Sequence, residues 1–390
     1  MSDHLRVGVV CDLAEERWPS MDLVADMLVE RLGRQGRDVE AVRLQPAFRR
    51  RATAIPLLGR AASAFTFDRF TNRLFDYPRW LRGKRDDADL FHVADHSYAH
   101  LAHELPAERT VVTCHDLDTF RSVLDPRSER RSAPFRRMTA RILGGLQRVA
   151  RVTCDSTATH DAIVAAGLLS PDRLDIVPNG VHPDFSPEPK AEADRAVEAL
   201  LGPAGSSATE LLHIGSTIPR KNIETLLRVF AGVKRRSPGA RLLRVGGPMT
   251  PAQRRMAVIL GVLDGVVELP SLPRHVVAAV CRRSQLLLMP STREGFGLPV
   301  VEAMAAGAVV VASNIPVLRE TGGHAAIYCE PDRVEEWVDV ICTLSGERDR
   351  SPELFEVRRR RGFEHAARFS WDEYASRMID IYDQIAGRAG

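Results

Sequence analysis

Short runs of apolar residues alternate with longer stretches of helical periodicity through the first half of the chain. Residues Arg6–Cys11 form a valine-rich run, the loop Asp12–Ser20 follows, and Met21–Leu32 has apolar residues at helical spacing. Helix-like segments separate most of the further strand-like runs, which are Leu90–Val93, Thr110–Thr113, Arg151–Cys154 and Leu174–Val177. Short buried strands that alternate with helices predict a parallel, doubly wound α/β sheet.

A second alternation of the same kind follows a change in composition between Asp184 and Ala208. There the sequence becomes rich in Pro, Glu, Ala, Gly and Ser, as is typical of a connection between domains, with one short helix inside it. Six strand-like segments come next: LLHIGS, RLLRVGG, VVELP, LLLMPS, AVVVAS and AAIYCE. Helices are predicted between them at four positions: Asn222, Thr250, His275 and Pro299. We therefore predict two Rossmann-like domains, residues 1–185 and 208–369, joined by a linker at 186–207.

The composition is that of a globular protein without a large excess of charge. Of 390 residues, 44% are apolar and 27% are charged, and 54 Lys and Arg against 51 Asp and Glu leave a net charge of +3. This balance argues against a nucleic-acid-binding protein. Six cysteines are scattered singly, the apolar run after Arg6 is too short for a signal peptide, and no run of about 18 apolar residues occurs. We therefore expect a cytoplasmic protein without a membrane span.

One segment, residues 49–85, interleaves Arg and Lys with Phe, Leu, Tyr and Trp. This pattern is compatible with peripheral docking on an anionic membrane, such as the inner membrane face, or with the lining of an acceptor groove. A packed helical excursion with a solvated basic face is the commoner source of such a pattern. The sequence leaves these alternatives open.

Residues Met289–Ser313, MPSTREGFGLPVVEAMAAGAVVVAS, have the pattern of a ligand-binding turn between a strand and a helix. Glu294 lies in the loop after the strand, glycines follow it, and Pro299 is at the first helical position. Glycines let the backbone approach a ligand, and the free N–H groups of the helix start attract a phosphate. Glu302 lies one turn inside the helix, so two carboxylates face one ligand and accept hydrogen bonds from sugar hydroxyls.

A second cluster lies where a strand ends at Gly215 and a helix starts at Asn222. Arg220 and Lys221 come directly before that helix. Such a pair alone is usually solvated surface charge. Two cations beside a helix N-terminus nevertheless make a strong diphosphate site, and the glutamate loop lies at a corresponding strand end of the same predicted sheet. The two loops together predict a binding crevice.

Five segments give the chain a specific resemblance to a known family: CHDL at 114–117, VPNGVHPDF at 177–185, GSTIPRKN, LLLMPSTREGFGLPVVEAMAAG and FSWDEYASRMIDIY. It resembles the family-four retaining glycosyltransferases, or glycosyl transferases group 1. The resemblance implies the GT-B fold, in which two Rossmann-like α/β domains face each other across a cleft. It also implies that the first domain binds the acceptor and that a C-terminal helix, residues 370–386, packs back on that domain.

By this resemblance, the second domain binds a nucleotide-sugar donor. Glu294 would face the donor sugar, Glu302 would bind the ribose, and Lys221 would neutralise the diphosphate with Arg220 as the second cation. Backbone amides at 296–298 would contact sugar and phosphate. The donor-binding residues implied in this way are Ser216, Arg220, Lys221, Gly295, Phe296, Gly297, Leu298 and Glu302.

In the first domain, VVTCHDLDTF puts His115 at the carboxyl end of a strand, where an α/β crevice collects its functional groups. The resemblance implies that His115 approaches the reacting sugar, so His115 and Glu294 are the predicted catalytic residues. The predicted acceptor-side residues are Asp95, His96 and Asp116. Histidines at helical spacing in HVADHSYAHLAH, residues 92–103, raise a metal site as a minor alternative. We predict no metal and no cofactor.

The sequence and the resemblance together predict a metal-independent, retaining hexosyltransferase that uses a UDP- or GDP-sugar. The acceptor would be a glycan, a lipid-linked molecule or a small molecule, in glycan, polysaccharide or glycolipid biosynthesis. Fixed cations would stabilise the departing diphosphate, and the resemblance implies same-face attack without a protein nucleophile. The alternatives are an epimerase or hydrolase of the same fold and a non-catalytic nucleotide-sugar-binding protein. A nicotinamide dehydrogenase is disfavoured because no G-x-G-x-x-G follows the first strand.

Overall fold

A computed structural model describes residues 4–388 with the exception of residue 17 and segments 35–37, 56–60 and 204–208. The chain forms two compact units. The first comprises Met1–Gly180 together with Trp371–Gly390, and the second comprises Val181–Ser370. Each unit is built around one parallel sheet with helices packed on it.

Twelve β-strands make up the two sheets, in chain order β1 Leu5–Val10, β2 Val39–Leu44, β3 Leu90–Val93, β4 Thr110–Cys114, β5 Arg151–Cys154, β6 Leu174–Ile176, β7 Glu210–Ile214, β8 Arg241–Val245, β9 Val266–Leu269, β10 Leu286–Met289, β11 Val309–Ser313 and β12 Ile327–Cys329. The first sheet has the order β2-β1-β3-β4-β5-β6 and the second β12-β11-β10-β7-β8-β9. All pairings between neighbouring strands in both sheets are parallel. The predicted pair of doubly wound α/β sheets is therefore confirmed.

The α-helices of the described residues are α1 Pro19–Leu32, α2 Ala62–Thr71, α3 Tyr77–Arg82, α4 Arg121–Leu124, α5 Ala133–Arg148, α6 Thr157–Ala165, α7 Ala191–Leu201, α8 Ile223–Arg236, α9 Pro251–Ile259, α10 Arg274–Arg283, α11 Leu298–Ala305, α12 Pro316–Gly322, α13 Val334–Arg350, α14 Pro352–Ala366 and α15 Trp371–Ile385. A π-helical turn, Asn72–Asp76, joins α2 to α3 without a break. The four helices predicted at Asn222, Thr250, His275 and Pro299 correspond to α8, α9, α10 and α11. The Thr250 side chain caps α9 in a capping box with Gln253.

The core strands are buried along their whole length because helices cover both faces of each sheet. Every residue of β3, β4, β10 and β11 is buried. β2, which the sequence analysis did not pick out, lies at the edge of the first sheet and has only two buried residues, Val39 and Leu44. Its weaker apolar pattern follows from that edge position.

The C-terminal helix α15 packs on α1 in the first unit. Tyr374, Met378 and Tyr382 on its inner side are buried, and the Tyr382 hydroxyl is hydrogen-bonded to Nδ1 of His92 in β3. Burial lowers the pKa of His92 to about 3, so this ring is a neutral hydrogen-bonding group of the core. The contact joins the last helix of the chain to the middle of the first sheet.

The segment predicted as a linker, 186–207, contains α7, which packs on α10 inside the second unit. Arg282 of α10 donates to Asp194 of α7 at 2.8 Å and to the carbonyl of Ser186 at 3.5 Å. The part of this segment that the structure describes therefore belongs to the second unit. Polar composition alone did not reveal this, because the apolar side of α7 is only three residues wide: Ala193, Val197 and Leu201.

Candidate active site

Two loops meet at the switch point of the second sheet. β7 and β10 are neighbours, with Leu211 opposite Leu286, but the chain continues from β7 to β8 on one side and from β10 to β11 on the other. Such a divergence leaves a crevice at the carboxyl ends of the two strands, where open α/β sheets bind ligands. The loops 215–222 and 290–297 border this crevice.

Asn222 fixes the two loops against each other. Its φ of 53° is left-handed, and it is the only non-glycine residue with positive φ in the part of the chain that the structure describes. Asparagine tolerates this region because its short polar side chain bonds locally. The Asn222 Nδ2 donates to the carbonyl of Pro290 at 3.2 Å, and the N–H of Thr292 donates to the carbonyl of Arg220 at 2.8 Å. The loop of β7 is thus tied to the loop of β10.

Glu294 joins the two cations predicted from the sequence. Its Oε2 accepts a hydrogen bond from Nη1 of Arg220 at 2.9 Å, and its Oε1 accepts one from Nζ of Lys221 at 2.6 Å. Only 6% of the Glu294 side chain is exposed, against 19% for Arg220 and 12% for Lys221. The cluster carries two positive charges and one negative charge, so it retains an excess of one cation at the mouth of the crevice.

The helix α11 starts directly after this cluster. Gly297 has a φ of 92°, and a side chain there would meet Leu318 at 2.8 Å, so both backbone and space require glycine. The helix begins at Leu298, one residue before Pro299, which is within the ordinary uncertainty of a helix end. The unpaired N–H groups of such a helix start favour an anion.

The remaining predicted donor-side residues lie on the same two loops. Ser216 follows Gly215 and is exposed, whereas Gly295 and Phe296 are buried. The carbonyl of Phe296 accepts a hydrogen bond from Thr321 Oγ1 at 2.5 Å, which anchors the turn before α11. The structure therefore brings every predicted donor-side residue to one end of the second sheet.

Glu302 is a buried carboxyl inside α11. Its side chain receives no hydrogen bond or ion pair from the residues that the structure describes, and the residue is 8% exposed. Burial raises its pKa to about 7, an effect that the charge of Arg274 reduces only in part. A carboxyl in this condition retains its full capacity to accept hydrogen bonds from a ligand.

Two basic side chains that the sequence analysis did not single out lie beneath the turn after β7. Arg244 and His213 are neighbours across β8 and β7 and are fully buried. Arg244 donates to the carbonyl of Gly215 at 3.4 Å, but its Nε and Nη1, like both ring nitrogens of His213, have no hydrogen-bond partner among the described residues. Burial lowers the pKa of His213 well below its ordinary value, so its ring is neutral. A charged residue inside an otherwise apolar strand, RLLRV, was the available signal.

In the first unit, His115 follows β4 and is buried among the ends of neighbouring strands. Its Nδ1 lies 3.0 Å from Oδ2 of Asp155, and its Nε2 lies 2.9 Å from the carbonyl of Ala94. Burial alone would lower the pKa of His115, but the hydrogen bond and charge of Asp155, together with the charge of Asp95, raise it to about 9. At neutral pH the ring is therefore an imidazolium whose two N–H groups are both donated to protein acceptors. It offers positive charge rather than a basic nitrogen.

Two of the predicted acceptor-side carboxylates stabilise turns. Asp95 caps the turn after β3 by accepting the N–H of Ser97 at 2.8 Å. Burial would raise the pKa of Asp95, but the charges of the nearby histidines and the hydrogen bonds of Ser97 lower it to about 2. Asp116 accepts the N–H of Asp118 at 2.9 Å. These contacts favour a structural role, and the Asp116 side chain remains 22% exposed.

The third predicted acceptor-side residue, His96, lies beside His115, with ring centroids 6.0 Å apart. The backbone N–H of His115 donates to Nδ1 of His96 at 3.2 Å, and this nitrogen also lies 3.3 Å from Oδ1 of Asp95. The Nε2 of His96 lies 3.0 Å from Oγ1 of Thr119. The structure thus brings His96, His115 and Asp116 together, with the His96 Nε2 3.6 Å from Oδ1 of Asp116.

The sequence analysis did not single out Asp12, which lies two residues after the end of β1. It lies at the switch point of the first sheet, where β1 and β3 are neighbours and their connections diverge. Neither of its carboxyl oxygens has a hydrogen-bond partner by distance and angle among the described residues, and the residue is 4% exposed. Burial, followed by the charge of Asp95, raises its pKa well above the ordinary value. Asp155 was missed in the same way, although it follows β5 as His115 follows β4.

Comparison with known proteins assigns the family. Residues 22–185 match the family model described as Glycosyltransferase Family 4, and residues 204–356 match the model described as Glycosyl transferases group 1. The two matches lie side by side and together span most of the chain. The chain belongs to this glycosyltransferase family. The family resemblance described from the sequence is therefore confirmed.

Curated relatives of this family member include two named D-inositol 3-phosphate glycosyltransferase. The one from Segniliparus rotundus is 34% identical over 228 residues, which are 54% of this chain and 47% of the relative. The one from Mycobacteroides abscessus is 33% identical over 247 residues, 60% of this chain and 51% of the relative. The chain thus spans about half the length of the curated relatives it matches.

Solved structures of similar fold cover the whole chain. Sucrose-phosphate synthase from Thermosynechococcus elongatus superposes with a TM-score of 0.74 at 18% identity, over 99% of this chain and 100% of that one. Anabaena Alr3699/HepE in complex with UDP and glucose gives a TM-score of 0.73 at 15% identity, over 98% and 100%. WaaG, a glycosyltransferase involved in lipopolysaccharide biosynthesis, gives 0.68 at 14% identity, over 97% and 99%. These likenesses establish the GT-B fold.

The histidines of the run 92–103 have separate partners in this family member. His100 bonds the carbonyl of Arg73 at 2.9 Å and His103 bonds the carbonyl of Arg141 at 2.9 Å. Across the residues that the structure describes, no group of three or more His, Cys, Asp or Glu side chains is placed to hold a metal ion. Over the same residues, no helix has both the length and the apolar character needed to cross a membrane.

Proposed function

We propose that this chain transfers a hexose-type sugar from a UDP- or GDP-sugar to an acceptor hydroxyl, with retention at the anomeric carbon and without a metal ion. One observation carries the proposal furthest. Arg220 and Lys221 converge on Glu294 at 2.9 and 2.6 Å, at the switch point of the second sheet and directly before the start of α11. This is an anion-binding arrangement with one carboxylate built into it.

The reaction needs positive charge where the leaving group develops negative charge. When the bond between the sugar and the diphosphate breaks, electrons pass to the diphosphate oxygen, and fixed cations stabilise them without reorganisation. Lys221 and Arg220 would supply that charge, with the N-terminus of α11 beside them. Since three fixed positive groups serve this purpose, a metal ion has no required place in the step.

Glu294 would change partners when the donor binds. In the structure it balances the two cations. A diphosphate carries more negative charge than one carboxylate, so it would take over Arg220 and Lys221 and leave the Glu294 oxygens to accept hydrogen bonds from the sugar. Glu302, whose carboxyl has no hydrogen-bond partner among the described residues, would accept the hydroxyls of the ribose.

The comparisons support a nucleotide-sugar donor without fixing its base or sugar. Two of the curated relatives bear the name D-inositol 3-phosphate glycosyltransferase, and solved structures of the same fold hold UDP with glucose and UDP-glucose. The acceptor would be a glycan, a lipid-linked molecule or a small molecule. For His115 we propose a catalytic role through its imidazolium charge, and for Asp95, His96 and Asp116 a role on the acceptor side through the geometry they impose. No protein nucleophile is required: the acceptor oxygen would bond to the anomeric carbon as the bond to the diphosphate breaks, and the departing diphosphate would take the proton of the acceptor hydroxyl.

A donor panel with EDTA present tests the proposal. A bound UDP- or GDP-sugar stabilises the native state and raises its melting temperature. Lys221→Ala should abolish that shift and lower turnover by about 10²- to 10³-fold, as loss of one charge-stabilising donor typically does. Lys234→Ala is the matched control, because Lys234 lies in α8 of the same unit and pairs with the exposed Asp264.

Glu294→Gln separates the two roles assigned to the cluster. With the carboxylate neutralised, UDP or GDP alone should bind as tightly as before or more tightly, while sugar transfer is lost. Sugar release without any acceptor would indicate a hydrolase, and donor binding with no turnover across an acceptor panel would indicate a binding protein. Normal turnover by both Lys221→Ala and Glu294→Gln would contradict the proposed site.

A further inference from the structure

The helical segment formed by α2 and the π-helical turn after it has its polar side buried and its aromatic side exposed. Asp68 and Asn72, four residues apart on one face, are 0% and 2% exposed. Phe67, Phe70 and Phe75 are 57%, 51% and 65% exposed. This is the reverse of the polarity expected for a surface helix of a globular protein, whose apolar stripe faces the core.

The buried polar residues explain why the helix holds this orientation. The Asp68 carboxylate accepts the backbone N–H groups of Arg51, Ala52 and Thr53 at 2.8–3.0 Å. Asn72 exchanges two hydrogen bonds of 2.8 Å with the backbone of Arg49. Each buried polar group is therefore satisfied, and rotating the helix to bury the phenylalanines would leave these groups without partners. The exposed aromatic face is built into the fold.

The three phenylalanines form what we call the aromatic patch: Phe67, Phe70 and Phe75. A fourth, Phe65, is stacked on Phe48 with ring centroids 6.0 Å apart and is partly covered. At about 200 Å² per side chain, the exposed fractions of the patch correspond to roughly 350 Å² of aromatic surface. The largest exposed apolar patch of a monomer has about this extent and is often functional.

The charge around the patch identifies the kind of partner. Residues 49–85 contain ten basic and two acidic residues, whereas the whole chain has a net charge of only +3. Part of this positive charge is balanced by ion pairs: Arg51 pairs with Asp76 at 2.7 Å, Arg73 with Glu16 at 3.1 Å and Arg82 with Glu104 at 2.7 Å. Arg50 and Arg79 are exposed and have no ion pair within the described part of the chain. Exposed phenylalanines beside arginines are complementary to a lipid bilayer, whose interior is apolar and whose headgroups can be anionic.

We infer that the aromatic patch, together with Arg50 and Arg79, docks this protein on an anionic lipid bilayer, with the phenylalanine rings inserted among the acyl chains near the headgroups. The protein lies on the membrane and does not span it. The inference is independent of the proposed transfer reaction, because the residues that dock lie on the surface of the first unit and outside the candidate active site.

Vesicle co-sedimentation tests the docking surface. The wild-type protein should pellet with phosphatidylcholine vesicles that contain roughly one-third phosphatidylglycerol and remain in solution with phosphatidylcholine alone. Phe67→Ser, Phe70→Ser and Phe75→Ser combined should lower the partition coefficient at least about tenfold. Arg50→Glu with Arg79→Glu should also weaken binding, and about 1 M salt should weaken wild-type binding because the Debye length falls to about 3 Å.

A matched control and a gain of signal make the test decisive. Val258 and Ile259 of α9 are 58% and 83% exposed in the other unit, so Val258→Ser with Ile259→Ser should leave vesicle binding unchanged. Phe70→Trp keeps an aromatic ring in the patch and should show a blue-shifted emission that brominated lipids quench. Wild-type protein that stays in solution with anionic vesicles, triple-serine protein with an unchanged melting temperature that binds like wild type, or Phe70→Trp that brominated lipids do not quench would each overturn the inference.

Discussion

Neutralising Glu302 should make the folded protein more stable at alkaline pH while weakening its hold on a nucleotide. Burial raises the pKa of this carboxyl from its ordinary value of 4.5 to about 7. The folded state therefore binds the proton more tightly than the unfolded state does. Below pH 4.5 the group is protonated in both states and costs nothing; as the pH rises from 4.5 through about 7, stability is lost.

The size of the effect follows from the width of that window. At pH 8 the carboxylate is ionised in both states, and a difference of about 2.5 pKa units corresponds to roughly 3 kcal/mol of lost stability. Glu302→Gln has no charge to bury. The stability difference between Glu302→Gln and wild type should therefore grow by about 3 kcal/mol between pH 4.5 and pH 8. A unit of this size shifts its midpoint by about 2–4 °C per kcal/mol, so the gap should widen by roughly 6–12 °C.

Thermal unfolding at a series of pH values measures this gap, with Glu224→Gln as the control, since Glu224 lies in α8 of the same unit with its side chain 63% exposed. A gap between Glu302→Gln and wild type that stays constant from pH 4.5 to pH 8 would refute the burial argument. Titration with UDP and GDP completes the test. The variant should bind the preferred nucleotide more weakly, because the amide offers one acceptor oxygen where the carboxylate offers two.

Two further predictions concern the residues that hold the loops in place. The stabilising contribution of His115 is fully present below pH 6.5 and should be lost as the pH rises through about 9, where its raised pKa lies. His115→Gln should therefore melt well below wild type at pH 6 and close to wild type at pH 10. Thermal unfolding followed by circular dichroism measures both differences. Asn222→Ala should cost about 1–2 kcal/mol in chemical unfolding, since alanine is strained at a φ of 53° and cannot donate to Pro290. Asn222→Gly relieves the strain but does not restore the lost hydrogen bond, so its unfolding free energy should lie between those of wild type and Asn222→Ala.

The sequence was most informative where a buried strand meets a loop. A strand covered by helices on both sides is a continuous run of buried residues, which can be recognised without knowing which strands lie beside it. β10 and β11 were predictable for this reason. The residues after such strands are the first that can be polar. For this reason Lys221 and Glu294 could be assigned to one site before their contact of 2.6 Å was known.

Other features required the three-dimensional contacts. His115 was predicted, but its charge state depends on Asp155, forty residues later in the chain, and on the carbonyl of Ala94. The inverted polarity of the helix through Asn72 was equally hidden, because its cause is the backbone of residues 49–53, to which no periodicity points. The short apolar side of α7 was read as linker because its packing partner, α10, lies far ahead in the sequence.

In both sheets the candidate site residues lie at the carboxyl ends of strands, and a single physical constraint accounts for this position. A charged side chain within a strand that is covered on both faces loses its hydration, which costs free energy. Arg244 is an exception of this kind: it is buried, and two of its nitrogens have no hydrogen-bond partner among the described residues. Charge is therefore restricted to strand ends, and only where neighbouring connections diverge is there room for a ligand. In the second sheet that position holds a net positive cluster of Arg220, Lys221 and Glu294, which suits a diphosphate. In the first sheet it holds Asp12, a buried carboxyl whose oxygens have no hydrogen-bond partner by distance and angle among the described residues and whose pKa burial and the neighbouring Asp95 raise, so this position lacks the positive charge that a phosphate requires.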